Sequence, residues 1–236
     1  MSVFEGIIIR TVDYQESSKI LYVYTEQGLK SMIARGVKKM QSNMRYLSQP
    51  GYHINGELSS GKFPTLKHAT CINHYPLIKE DWIKKTVMDV IFNLVYFNVS
   101  SIDNHQKLWP FILKFLTVLE TTQHPLELMM VFELKLFHLL GIGLNLKACE
   151  QCDKKDDLVF DVHSSSLYCH EHKPLGKDQY DHSIYYPLQY YYYVDITQFK
   201  PFESPMPILK TQMKIIDAMY QSHCSYTTNI KALLKT

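Results

Sequence analysis

The sequence predicts an α+β chain: a small, closed or partly open β-barrel, then an α-helical domain carrying an inserted module rich in cysteine and histidine. Three observations carry this prediction. Short β-prone segments separated by turn signals fill residues 1–76, helical spacing of apolar residues takes over after Pro76, and three of the five cysteines gather beside histidines within 145–175.

The strands come first. Residues 6–12 and 19–25 are β-branched and aromatic runs, and Gln27-Gly28 marks a turn after the second. Residues 29–34 make a third strand. Gly36, Pro50, Gly51, Gly56 and Gly61 then punctuate the chain, and residues 51–58 and 65–72 supply the remaining strands. Several short strands at this spacing fit a barrel.

From residue 77 to 99 the apolar positions follow helical spacing, with Lys84, Lys85 and Asp89 on a narrow polar face. A second helix is expected over 108–119. A third has clear ends: Pro125 suits the first turn, 126–140 is apolar nearly all round, and Gly141 suits the C-terminal cap. Such a helix belongs at the centre of a bundle. Residues 176–205 are rich in Tyr and Pro and have no clean period. The run Tyr190-Tyr191-Tyr192-Tyr193 reads as a buried or half-buried aromatic patch rather than a base-stacking platform. A last helix is expected over 206–220, with a short apolar segment at 230–234. The helical domain thus comprises 77–144 and 176–236, with the inserted module at 145–175.

Composition sets bounds on function. At 46% hydrophobic residues the 236-residue chain can build a real core. A net charge of +2 leaves any electrostatic footprint to local clustering. Residues 87–99 are too short and too polar to span a bilayer, and the N-terminus has neither a basic n-region nor an apolar run typical of export signals. The expected location is the reducing cytoplasm, away from membranes.

In that setting cysteines beside histidines point to metal rather than disulfides. Cys149 and Cys152 form one Cys-x-x-Cys pair, and Cys169 and His172 a second pair at the same spacing. Two residues between ligands let the chain turn back so that both side chains reach one ion, and two such turns complete a tetrahedron. The expected cofactor is one structural Zn2+. His170, next to Cys169, is an alternative fourth ligand, and His163 and His182 are weaker ones. Four protein ligands leave no open coordination position, which argues against catalytic zinc. A nucleobase deaminase would also need a His-x-Glu element, and no histidine here is followed two positions later by glutamate.

Gly56-Glu57-Leu58-Ser59-Ser60-Gly61-Lys62-Phe63 nearly matches a phosphate-binding P-loop. Phe63 lacks the hydroxyl that ligates magnesium, and Pro64 opposes the helix that should follow. A hairpin turn between strands accounts for the segment better. With no paired carboxylates and no nucleophile elbow, no catalytic residue is assigned.

Residues 27–56 contain no acidic residue but hold Lys30, Arg35, Lys38, Lys39 and Arg45, with Tyr22, Tyr24, Tyr46 and Tyr52 in or beside the run. Cations give affinity for a phosphate backbone and aromatic faces allow stacking, although a solvated basic loop explains the same residues.

A wider pattern favours nucleic acid. Phe4-Glu5-Gly6-Ile7-Ile8-Ile9, Asp13-Tyr14-x-Glu16-Ser17-x-Lys19-Ile20, Thr25-x-x-Gly28 and Ala34-Arg35-Gly36-Val37-Lys38-Lys39 resemble the N-terminal domain of the RecO family of bacterial DNA-repair proteins. Phe132-Glu133-Leu134-x-Leu136, Leu140-Gly141, Leu146-x-x-Cys149-x-x-Cys152 and the terminal Ile230-Lys231-Ala232-Leu233-Leu234 extend the likeness. The resemblance implies an OB-fold over 1–76 and a mediator, not an enzyme. Such a mediator would bind single- and double-stranded DNA, anneal complementary strands, and act with RecR and the single-stranded-DNA-binding protein to load RecA. Zinc-bearing members of the family usually have cysteine as the fourth ligand, where this chain has His172. The alternative reading is an RNA-binding or ribosome-associated protein, since OB-folds and zinc modules serve both.

Overall fold

The computed structural model describes residues 2–60, 63–176 and 178–224. Its contacts divide the chain into two compact units, Met1–Thr121 and Thr122–Thr236.

The first unit is built on five strands: β1 (Ser2–Tyr14), β2 (Ser18–Thr25), β3 (Gly28–Ala34), β4 (His53–Leu58) and β5 (Leu66–Asn73). They form one sheet in the order β3-β2-β1-β4-β5, antiparallel throughout. β1 serves both halves. Ser2 to Ile7 pair with β4, and Ile7 to Tyr14 pair with β2. Between Ile8 and Arg10 the β1–β2 register slips, so Ile9 is an extra residue, a bulge that bends the strand. Phe4, Ile8, Leu21, Val23, Met32, Ile54 and Leu66 line the concave core. Ile7, Tyr24 and His53, side by side in the register, occupy the opposite face. There the Tyr24 hydroxyl lies 2.8 Å from His105 Nδ1 and the His53 ring packs edge-on against Trp109.

Of the closed or partly open barrel expected, the closed form is ruled out: the sheet stays open between its edge strands. Edge strand β3 meets the residue before edge strand β5 at a parallel bridge, Ile33 to Thr65, with the Ile33 amide donating to the Pro64 carbonyl at 2.9 Å. The offset explains why. β3 stops at Ala34, one residue past the bridge, and Gly36 turns the chain away at φ +67°. β5 only begins at Leu66, and Pro64 before it has no N–H to donate.

The helices of this unit are α1 (Pro76–Glu80), α2 (Trp82–Asn98) and α3 (His105–Thr121). The single helix expected over 77–99 is therefore two. Asp81 separates them with an extended backbone, and its carboxylate caps α2, accepting from the amides of Ile83 and Lys84 at 2.8 and 3.1 Å. Strand gives way to helix at Pro76, but the compact unit continues to Thr121.

In the second unit α4 (Pro125–Leu139) packs against α5 (His182–Tyr193) and α6 (Met206–Cys224). α4 is buried over nearly its whole circumference, as its composition predicts, and Gly141 ends it at φ +73° while the Ile142 amide returns to the Phe137 carbonyl. A small sheet lies between α4 and α5 in the chain: β6 (Asn145–Cys149), β7 (Leu158–Asp161), β8 (Ser166–Cys169) and β9 (Gln179–Tyr180), in the order β6-β8-β7-β9. The tyrosine run is the last turn of α5, a helix although the segment has no clean period in sequence. Tyr191 and Tyr192 are buried, and the Tyr191 hydroxyl donates to the Glu127 carboxylate at 2.6 Å. The segment 230–234 lies outside the described residues. Among the described residues no helix is long and apolar enough to cross a membrane.

Glu133 of α4 is fully buried, and neither carboxylate oxygen has a hydrogen-bond partner among the described residues. Burial, with the Asp217 charge adding to it, pushes its carboxyl up to about 8. The folded chain therefore keeps a proton that the unfolded chain releases near pH 4.5, so this group lowers stability as pH rises from there towards 8. Replacing it (Glu133→Gln, and Glu133→Met as a control for amide burial) should remove that slope. By pH 7 the variants should gain roughly 3 kcal/mol over the wild type relative to their difference at pH 4.5. Urea unfolding across this pH range measures it, and parallel pH profiles would contradict the assignment.

Candidate metal centre and nucleic-acid interface

The two Cys/His pairs sit on matching turns at the ends of neighbouring strands. Cys149 ends β6 and Cys169 ends β8, which run parallel and are tied by the Glu150 amide donating to the Leu167 carbonyl at 2.8 Å. After each strand the chain folds back onto the first ligand. The Asp153 amide donates to the Cys149 carbonyl, and the amides of His172 and Lys173 donate to that of Cys169. Asp153 adopts φ +56°, a conformation aspartate tolerates better than most residues.

These turns gather Cys149, Cys152, Cys169 and His172 with all ligand atoms within 4.8 Å of one another. Cys152 Sγ lies 3.8 Å from Cys169 Sγ, and His172 Nδ1 lies 3.7 and 3.3 Å from the sulfurs of Cys149 and Cys169. A tetrahedral zinc site with bonds of about 2.3 Å to sulfur and about 2.0 Å to nitrogen places its donors roughly 3.5–3.8 Å apart. The donor set is thus of the right chemistry and nearly the right size before any ion pulls it together. Burial opposes ionisation of the Cys149 thiol. The backbone N–H groups of Cys169, Gln151 and Cys152, with the His172 side chain, outweigh it and hold the thiol down at about 6. The Cys152 thiol is lowered by the Lys154 amide but raised more by desolvation and the neighbouring sulfurs, ending above its usual value. His170 stands outside the cluster, 3.1 Å from Asp157, and so does His163, 3.2 Å from Asp178. His182 stacks on Tyr186.

The basic run of the first unit is a staircase of turns. Amides of Lys39, Ser42 and Arg45 donate in succession to the carbonyls of Gly36, Lys39 and Ser42, each at 3.1 Å. The Arg45 carbonyl in turn accepts from the Ser48 hydroxyl. Val37 and Leu47 anchor the segment by burial, so it is a fixed ledge rather than a free loop. Arg35, Lys39 and Arg45 are exposed on it. Lys30 sits on β3 and donates to Gln27 at 2.8 Å. Lys38 is engaged twice. Its amide donates to the Ser17 carbonyl at 2.9 Å, and its ammonium pairs with Asp13 at 2.8 Å, holding that carboxyl below the usual range.

Asp13, the acid that pairs with Lys38, lies outside the acid-free run, in β1. Its place at the tip of the β1–β2 hairpin was the available signal, since a hairpin tip can reach a loop leaving the next strand. The P-loop-like segment gives no phosphate cradle. Gly56 lies inside β4, where an added Cβ would meet the Phe4 ring at 2.5 Å, so its glycine serves packing. Ser59 and Thr65 close the β4–β5 connection with two hydrogen bonds. Gly61 and Lys62 lie outside the described residues.

Comparison with known proteins gives the context. Residues 1–75 match the family described as Recombination protein O N terminal, and residues 79–227 match Recombination protein O C terminal. A DNA repair protein RecO of an Exiguobacterium species is 31% identical over 176 residues, covering 72% of this chain and 70% of the relative. Proteins of the same name from Bacillus cereus and Bacillus anthracis are 25% identical over 227 residues, covering 93% of this chain and 91% of each relative.

The donor geometry leads to a direct expectation. Protein purified without chelator should carry about one equivalent of metal per chain. Cys152→Ser should lose it and lower the melting temperature by at least roughly 5 °C, because metal binding at such sites is folding energy. Metal-free protein with an unchanged melting curve would count against the site.

Proposed function

The chain belongs to the RecO family of DNA repair proteins, and from that premise we propose that it is a non-catalytic mediator of recombinational repair that binds DNA through its sheet unit. The observation that carries the DNA surface is the anchored, acid-free ledge after β3, with Arg35, Lys39 and Arg45 facing solvent and Lys30 and Lys38 beside them. Fixed cations in a row suit a phosphate backbone, single- or double-stranded, because neutralising phosphates releases counterions whatever the base sequence. The strand order supports an OB-like reading. With the Ile33–Thr65 bridge, β5 lies beside β3, as in a partly open five-stranded barrel of that type.

Cys149, Cys152, Cys169 and His172 would hold one zinc ion. Four protein ligands leave no position for a substrate, so the ion would brace the β6 and β8 turns rather than activate water. No nucleotide chemistry is assigned, since Gly56 is a strand residue and Phe63 offers no hydroxyl. Strand annealing and loading of RecA, together with RecR and the single-stranded-DNA-binding protein, complete the reading and come from the family. The cytoplasm is the matching location.

Titration with DNA at several salt concentrations tests the ledge. Affinity should be indifferent to base sequence and fall as salt rises. Lys39→Ala with Arg45→Ala should flatten the log–log salt dependence by about two units and weaken annealing. Lys154→Ala with Lys155→Ala, beside the metal cluster, should change it less. If the ledge pair leaves affinity and slope untouched while the second pair abolishes binding, DNA lies on the other unit.

A further inference from the structure

Lys79 of α1 carries an amine that neither the metal centre nor the basic ledge uses. Its Nζ is buried, has no hydrogen-bond partner among the described residues, and lies 3.4 Å from the centre of the Tyr52 ring. A sharp return of the chain delivers it there. β5 ends at Asn73, Tyr75 takes φ +48°, and α1 begins at Pro76, which brings Lys79 back over Tyr52. Cys71 is the neighbouring thiol. It stands opposite Ile54 in the β4–β5 register, and directly opposed residues share a face of the sheet. Tyr52 packs on the same core as Ile54. Cys71 and Lys79 therefore converge on Tyr52 from the strand and from the helix, and the charge of each acts on the other. Burial pushes the Lys79 ammonium down to about 8, with Cys71 opposing the shift, so part of the amine is neutral and nucleophilic in a mildly alkaline solution. Burial also raises the Cys71 thiol, with Lys79 pulling it back, and a thiolate of raised pKa is scarce but strongly nucleophilic. The two groups differ in access: Cys71 is exposed, and the Lys79 amine is enclosed.

An exposed thiol beside an enclosed, unpartnered amine suits a relay from sulfur to nitrogen. We propose that Cys71 and Lys79 form an acyl-transfer site, at which small acyl thioesters modify Lys79 by way of the Cys71 sulfur. In the first step the Cys71 thiolate attacks the carbonyl carbon of the thioester. The carbon–sulfur bond to the donor breaks, and the donor leaves as a thiolate that takes up a proton. In the second step the neutral Lys79 amine attacks the carbonyl carbon now held on Cys71. An amide bond forms, the bond to the Cys71 sulfur breaks, and the proton lost by the amine returns to that sulfur. Cys71 is regenerated, and no oxidant or reductant takes part. A donor in solution reaches the thiol but not the amine, so the thiol supplies the route, and holding the two groups together makes the second step intramolecular. The product is an uncharged amide, and the cation over Tyr52 is lost.

The experiment incubates the full chain with S-acetyl-N-acetylcysteamine in mildly alkaline buffer and follows each lysine by peptide mass spectrometry. Lys79 should be acetylated at least about tenfold faster than the exposed Lys39 and Lys107, because its acyl donor is held beside it. Cys71→Ser should slow acetylation of Lys79 by about the same factor and leave Lys39 and Lys107 unchanged. Lys79→Arg removes the acceptor and keeps the charge, so the acetyl group should remain on Cys71 as a thioester that hydroxylamine releases. Acetylation of Lys79 no faster than that of Lys107 overturns the proposal. So does a Cys71→Ser protein, folded by circular dichroism, whose Lys79 still reacts at the wild-type rate. Should Cys71→Ser not fold, Lys79→Arg decides: a trapped thioester at Cys71 supports the relay, and its absence overturns it.

Discussion

The bulge at Ile9 is the constraint on which the first unit depends. A flat strand of β1's length could pair with both neighbours and still leave the sheet planar. The extra residue bends β1 where it passes from β4 to β2, and the sheet curls around Phe4, Ile8, Leu21 and Ile54. That curl brings the end of β3 to the start of β5, where the Ile33–Thr65 bridge forms just before β5 begins. Ile7, Ile8 and Ile9 are all buried in sequence because both faces of β1 are covered there, by the sheet's core on one side and by helices of the same unit on the other.

The chemically useful surfaces of this unit follow from where the sheet fails to close. β3 is bridged only to Thr65, the residue before β5, so the sheet leaves its outer corner to side chains, and Phe63, Ile33 and Arg35 occupy it. The chain leaving β3 must then return to β4, and it does so through the turn staircase from Gly36 to Ser48, nailed down by Val37 and Leu47. A basic segment fixed at both ends presents its cations at set positions, which a floppy tail of the same charge cannot do without an ordering cost on binding. The Asp13–Lys38 pair adds little to stability, being exposed and screened by salt, but it removes one cation from the set open to a phosphate.

The second unit solves a different problem. Its small sheet has short strands, and β9 is only two residues long, so backbone pairing alone is a weak tie. Matching turns place three sulfurs and one imidazole where a single ion would join both strand ends. Backbone amides around Cys149 hold its thiol below the usual value, which favours the thiolate that a metal would need. Glu133, buried and without a hydrogen-bond partner for its carboxylate among the described residues, works in the opposite sense, a local cost that the packing of α4 carries.

The sequence by itself determined what depends on near neighbours. It placed five strands and α4 with its glycine stop, and it picked out Cys149, Cys152, Cys169 and His172, because alternation, capping and a two-residue spacing are properties of short stretches of chain. It also marked the basic run, and its order of motifs pointed to the family. Tertiary structure decided what depends on partners far along the chain. The period of α5 is masked by Pro187 and by tyrosines on both its buried and its exposed sides, although Tyr185, Leu188, Tyr191 and Tyr192 keep helical spacing and are buried. The open edge between β3 and β5, the capture of Lys38 by Asp13, the exclusion of His170 by Asp157 and the isolation of Glu133 all arise from register and packing between segments. No window of sequence contains both partners of such a contact, so the pattern of one segment cannot state what the other will do to it.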